Sequence, residues 1–172
     1  MKARFVDIAG VQTRVLYEGK GNDQVLLLIH GFGSSADTWI HNIDPLAEHF
    51  HVVVPDLVGH GFTDPVDLDG GPPHPKAVEH LFGVLDVLGI NRFVPCGSSY
   101  GGLLGALMYF QAPQRVTKLI INGSGSTFNT DEQLARAMEG TKKNASIAML
   151  DTSLAKCRTR SEGSVYDPNS IP

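Results

Sequence analysis

The sequence predicts an α/β fold: a mostly parallel sheet, doubly wound, with helices on both faces. Three observations carry this. Short apolar runs alternate along the chain with segments whose apolar residues recur at helical spacing, the pattern of strand–helix–strand crossovers. The run Gln24-Val-Leu-Leu-Leu-Ile-His30 is apolar throughout its middle, as suits a strand covered on both faces. Glycine-rich turns follow such runs at Gly31-Phe32-Gly33 and Gly97-Ser98-Ser99.

The elements follow in order. Residues 4–8 and 11–17 read as two strands around a turn at Ala9-Gly10, a hairpin signal. The buried run over 24–30 comes next, then the glycine-rich stretch, then a helix over 39–49 and a strand at 52–54 ending at Pro55-Asp56. Residues 64–75, rich in Pro, Gly and Asp, read as a surface loop. Val78, Leu81, Phe82, Leu85 and Leu88 then fall at helical spacing over 75–88, between Pro75 and Gly89, the usual helix punctuation. A strand over 92–96, a small-residue helix over 100–111 ended by Ala112-Pro113, and a strand over 116–122 complete the alternation. Right-handed crossovers between these strands give the parallel sheet. After Gly123 the chain turns polar, and Thr130-Asp-Glu-Gln133 reads as a capping box opening a helix. Ser170 near the end reads as another helix start.

Composition narrows the function classes. With 42% hydrophobic and 19% charged residues in 172, the chain is that of a globular domain with a real core. A net charge of −4 without a basic cluster offers no electrostatic footprint for nucleic acid or an anionic membrane. No apolar run approaches the ~20 residues of a membrane span, and the first residues lack the apolar core of a signal peptide. A cytoplasmic protein is expected. Cys96 and Cys157 form no metal or redox spacing, and Cys96 reads as an inert buried thiol.

The chemistry centres on Gly97-Ser98-Ser99-Tyr100-Gly101, a Gly-x-Ser-x-Gly match set between a predicted strand and a predicted helix. A serine on so sharp a turn projects its hydroxyl from the carboxyl edge of the sheet, while the glycines let strand and helix approach closely. The helix N-terminus adds a positive field for developing negative charge. Ser99 is the candidate nucleophile, and Ser98 reads as support for the turn. Acyl transfer also needs two N–H groups aimed where an oxyanion forms. The backbone N–H groups of Tyr100 and of Phe32, the latter in His30-Gly31-Phe32-Gly33, are the candidates. His30 reads as a brace for its loop, His60 in Asp56-Leu-Val-Gly-His-Gly-Phe-Thr-Asp64 as structural, and Trp39 as core packing.

In order and spacing, these three motifs resemble the α/β-hydrolase superfamily over residues 5–125. In that family the loop aspartate and histidine corresponding to Asp56 and His60 are structural. The stretch from His30 to Trp39 is similar to the esterase and carbon–carbon bond hydrolase branch. Residues 158–172, with Val165-Tyr-Asp-Pro168, are similar to the cap region of meta-cleavage-product hydrolases, which cleave vinylogous diketones from aromatic degradation. Ser98 stands where those enzymes often carry Asn. Dehalogenases and epoxide hydrolases of this fold use aspartate as nucleophile, whereas this chain has Ser99.

The resemblance also implies what lies elsewhere. The family order is serine, acid, histidine, yet all seven histidines lie at or before His80. Asp131, Glu132, Glu139, Asp151, Glu162 and Asp167 follow Ser99, none of them just after a predicted strand. The expectation is therefore a truncated sheet. It comprises the N-terminal hydrolase core at 1–125 and the beginning of a helical cap at 126–172, and stops before the acid and base. The leading reading is a serine hydrolase acting on a small-molecule ester or activated carbon–carbon bond, with no metal or organic cofactor and with little activity in these 172 residues alone. The alternative is a non-catalytic ligand-binding or interaction protein on the same scaffold. A third reading, a short hydrolase using His30 or His60 as base, would break the family order.

Overall fold

The computed structural model describes residues 1–124, together with Glu132 and Ala155, each in helical conformation. Residues 1–124 belong to one unit, Met1–Phe128. Apart from Glu132 and Ala155, the expected cap at 126–172 lies outside the described residues, as do the helix start at Thr130, Ser170 and Cys157.

Six strands form one sheet: β1 (Lys2–Ile8), β2 (Val11–Glu18), β3 (Val25–Ile29), β4 (His51–Pro55), β5 (Val94–Ser98) and β6 (Ile120–Asn122). Their spatial order is β1-β2-β4-β3-β5-β6. The hairpin β1–β2 is antiparallel, and β2 pairs antiparallel with β4. The remaining neighbours, β4–β3, β3–β5 and β5–β6, are parallel. The expected mostly parallel α/β sheet is thus present, with an antiparallel hairpin on one edge.

Helices α1 (Ile40–Ala47), α2 (Pro73–Val87) and α3 (Tyr100–Gln111) make the crossovers. Side chains alternate across each strand, so the sheet feeds two cores. On one face Val15, Leu27, Ile29 and Val53 pack with Leu81, Leu85, Leu104 and Met108 of α2 and α3. On the other, Leu16, Leu26, Leu28, Val52 and Val54 pack with Ala36 and Ile43 at α1. All five residues of β3 are buried, which explains its unbroken apolar run.

Boundaries moved where local signals compete. The segment expected to open a helix at Trp39 begins with a 3-10 turn, Ala36–Trp39, capped by the Ser35 hydroxyl, which accepts from the Asp37 N–H. Helix α2 starts two residues before Pro75, because proline fits a first helical turn that needs no N–H. The last strand is only Ile120–Asn122. Val116 meets Phe93 through a lone bridge, so the expected strand start at 116 is part of the approach to the sheet. Strand β5 instead runs on to Ser98, directly against the motif serine.

Candidate functional site

Ser99 is the single residue between β5 and α3, and it is exposed. Its backbone sits at φ 51°, ψ −116°, a region that side-chain-bearing residues enter only under constraint, at a cost of about 1–3 kcal/mol. The constraint is visible. The Ser99 N–H donates to the Asn122 carbonyl at the end of β6 (2.9 Å), and the Ser99 carbonyl accepts from the Gly102 N–H (3.0 Å). The turn is clamped between the neighbouring strand and its own helix.

The motif glycines are dictated by space. A methyl on Gly97 would stand 2.1 Å from the Gly101 carbonyl oxygen, and one on Gly101 would stand 2.2 Å from the Ile29 carbonyl oxygen. Helix α3 therefore lies so close on β3 and β5 that no side chain fits. Across the edge, a methyl on Gly31 would lie 3.3 Å from Ser99 Cβ and 3.8 Å from Ser99 Oγ. The loop after β3 is thereby laid directly against the serine.

That loop carries Phe32, and its ring meets the Tyr100 ring edge-on at 5.9 Å. Among the described residues, neither the Phe32 N–H nor the Tyr100 N–H finds an acceptor. For Tyr100 this follows from its place as first residue of α3, since the leading N–H groups of a helix have no intrahelical partner. The predicted residues Ser99, Phe32 and Tyr100 are thus gathered at one sheet edge.

His30 is fully buried, and both its ring nitrogens are used. Nε2 accepts from the Leu57 N–H at 3.0 Å, so the proton sits on Nδ1, which donates to the Gly31 carbonyl at 2.8 Å. Burial holds its pKa below the ordinary histidine value. A neutral imidazole with both nitrogens engaged is a brace and cannot take a proton from serine. His60 donates from Nδ1 to the Val58 carbonyl (2.9 Å) and packs on Phe32 at 5.4 Å between ring centres. Trp39 packs against the second core. Cys96 is half-buried, and burial pushes its thiol pKa up.

Asp56, expected to be structural, organises this edge together with Arg14, a residue that no motif singles out. Asp56 is fully buried, and its carboxylate accepts four N–H bonds. These come from Arg14 Nε (2.7 Å), Arg14 Nη2 (3.1 Å), the Ala36 backbone (2.7 Å) and the Phe62 backbone (2.9 Å). The same guanidinium forks onto Asp37, at 3.2 Å from Nη1 and 2.6 Å from Nη2. Its Cζ lies 4.6 Å from the Phe62 ring centre. Burial opposes the Arg14 charge, but the hydrogen bonds to Asp56 and Asp37 outweigh it and raise its pKa. A cation inside the apolar strand Thr13-Arg14-Val15-Leu16 was the one available signal, since such a charge needs buried partners. Among the described residues no group of three or more His, Cys, Asp or Glu could hold a metal. Nor is any helix among them long and apolar enough to cross a membrane.

Residues 24–154 match the alpha/beta hydrolase fold family. The chain is 36% identical over 118 residues to the dihydrolipoyllysine-residue acetyltransferase component of an acetoin cleaving system from Cupriavidus necator, covering 69% of this chain and 31% of that protein. It is 35% identical over 136 residues to a 2-hydroxy-6-oxo-2,4-heptadienoate hydrolase from Pseudomonas putida, covering 76% of this chain and 48% of the relative. Among solved structures it is similar to an epoxide hydrolase from Mycobacterium thermoresistibile, with 27% identity, TM-score 0.65, and coverage of 70% of this chain and 38% of that one. The chain spans less than half the length of each of these three.

Proposed function

Because the chain belongs to the α/β hydrolase fold family, we propose that it supplies the nucleophile half of a serine hydrolase, with Ser99 attacking a carbonyl. The observation that carries this reading is the exposed Ser99 on its constrained turn, with the Gly31 backbone laid against its side chain.

The Ser99 hydroxyl oxygen adds to the carbonyl carbon as its proton passes to a base. The resulting oxyanion takes hydrogen bonds from the Phe32 and Tyr100 N–H groups, each such donor being worth about 10²–10³ in rate. Collapse expels the leaving group, which receives the proton from the base and leaves an acyl group on Ser99. Water, deprotonated by the same base, then releases the acid and restores the serine. With His30 committed to its loop and no histidine following Ser99 in these 172 residues, the family order of serine, acid and histidine assigns the base to a histidine outside them, oriented by an acid also outside them. The substrate is a small-molecule ester or an activated, diketone-type carbon–carbon bond. The 35% identity to a 2-hydroxy-6-oxo-2,4-heptadienoate hydrolase supports the second option. The protein works in the cytoplasm without metal or organic cofactor.

A fluorophosphonate probe tests this. The full-length protein should be labelled and should turn over p-nitrophenyl acetate, and Ser99→Ala should abolish both. The 172-residue chain should lose most of the rate, since a serine without its histidine gives up on the order of 10⁶. Labelling that survives Ser99→Ala refutes the reading.

A further inference from the structure

We propose that Arg14 is a positioning residue for the oxyanion site, acting through Asp37 and Asp56 on the loop that carries Phe32. The assignment rests on Phe32 being an oxyanion donor, as proposed above, and adds a residue from a strand that contributes nothing to the motifs.

The loop between β3 and the 3-10 turn is held at two points. At its start, His30 ties it to the loop after β4 through the Leu57 N–H. At its end, Ala36 donates its N–H to Asp56 at 2.7 Å, and Asp37 pairs with the guanidinium. Arg14 also binds the loop after β4 through its backbone, its N–H donating to the Thr63 hydroxyl and its carbonyl accepting from the Asp56 N–H, both at 3.0 Å. One residue of β2 therefore joins the far end of the Phe32 loop to the loop beneath it. Five residues separate the two anchors, and Phe32 is the second of them. Only Arg can do this, because its planar fork reaches two carboxylates at once. Asp56 leaves no slack, since a methyl on Gly61 would sit 2.2 Å from its Oδ2.

Releasing the far anchor lets the Phe32 N–H drift from the place where the oxyanion forms. A misplacement of about 1 Å costs about 10²-fold in rate. The chemical step suffers while ground-state binding does not, so kcat falls and KM holds.

The test compares Arg14→Lys, Asp37→Asn and their double variant in the full-length protein. The readouts are kcat per phosphonylated serine and KM for p-nitrophenyl acetate. Counting labelled sites removes misfolded molecules from the rate. Asp37 is half-exposed, so Asp37→Asn strands no buried charge and remains informative should the Arg14 variant fail to fold. We expect kcat to fall about 10- to 100-fold in each single variant, with KM within about twofold and the double variant no worse than Arg14→Lys, as one shared pathway requires. Values of kcat within about twofold of the parent for both single variants overturn the positioning role while Ser99-dependent labelling keeps the parent reading intact. Labelling that persists in Ser99→Ala removes the reading itself.

Discussion

Replacing Ser99 by glycine should abolish catalysis and stabilise the fold. The backbone at φ 51°, ψ −116° belongs to glycine, and holding a side-chain-bearing residue there costs roughly 1–3 kcal/mol. Glycine escapes that strain but loses roughly 0.5–1 kcal/mol more backbone entropy on folding. The difference leaves a net gain of about 1 kcal/mol, or about 2–4 °C in melting temperature for a chain of this size. Ser99→Ala is the control: it removes the hydroxyl and keeps the strain, because the strain resides in Cβ. The assay is thermal unfolding of the three proteins side by side, with urea midpoints as a second measure. The order expected is Gly above Ala, with Ala close to the parent. A glycine variant melting at or below the alanine variant would mean that the turn stores no strain, and the argument from backbone geometry to nucleophile would fail.

Other perturbations follow from single contacts. Burial pushes the His80 imidazole down from its ordinary value of 6.5 to about 4, while Nε2 stays bonded to the Thr13 hydroxyl. An unfolded chain then binds this proton more tightly, so the contribution is complete above pH 6.5 and falls by about 3 kcal/mol as pH drops towards 4. Urea midpoints across that window should lose this slope in His80→Leu, and an unchanged slope would place the titration elsewhere. Gly101→Ala forces a methyl to within 2.2 Å of the Ile29 carbonyl oxygen, which requires α3 to lift from β3. A loss of about 3 kcal/mol is expected, read as a lower urea midpoint, and a near-neutral variant would show that helix and strand separate freely.

Much of this site is legible because its causes are local. Gly97, Ser99 and Gly101 lie within five consecutive positions, and the demands on them, close approach and a forced turn, are those the motif encodes. The role of His30 as a brace is legible in its glycine-rich loop, and the geometry supplies the reason: both nitrogens are engaged within the two adjoining loops. The role of Arg14 is not legible in the sequence, for the opposite cause. Its carboxylate partners stand 23 and 42 positions away, and nothing in a strand of alternating residues announces which distant charge will meet it. The sheet order shows the same divide. That strands and helices alternate follows from apolar spacing along the chain, but that β4 lies between β2 and β3 is a choice among pairings with similar local signals. The sequence by itself determined the elements, the serine and the glycines around it, since each answers to its neighbours in the chain. Only the tertiary structure decided which loops Asp56 and Arg14 would join, because a buried charge is satisfied by whatever the fold brings within hydrogen-bond reach.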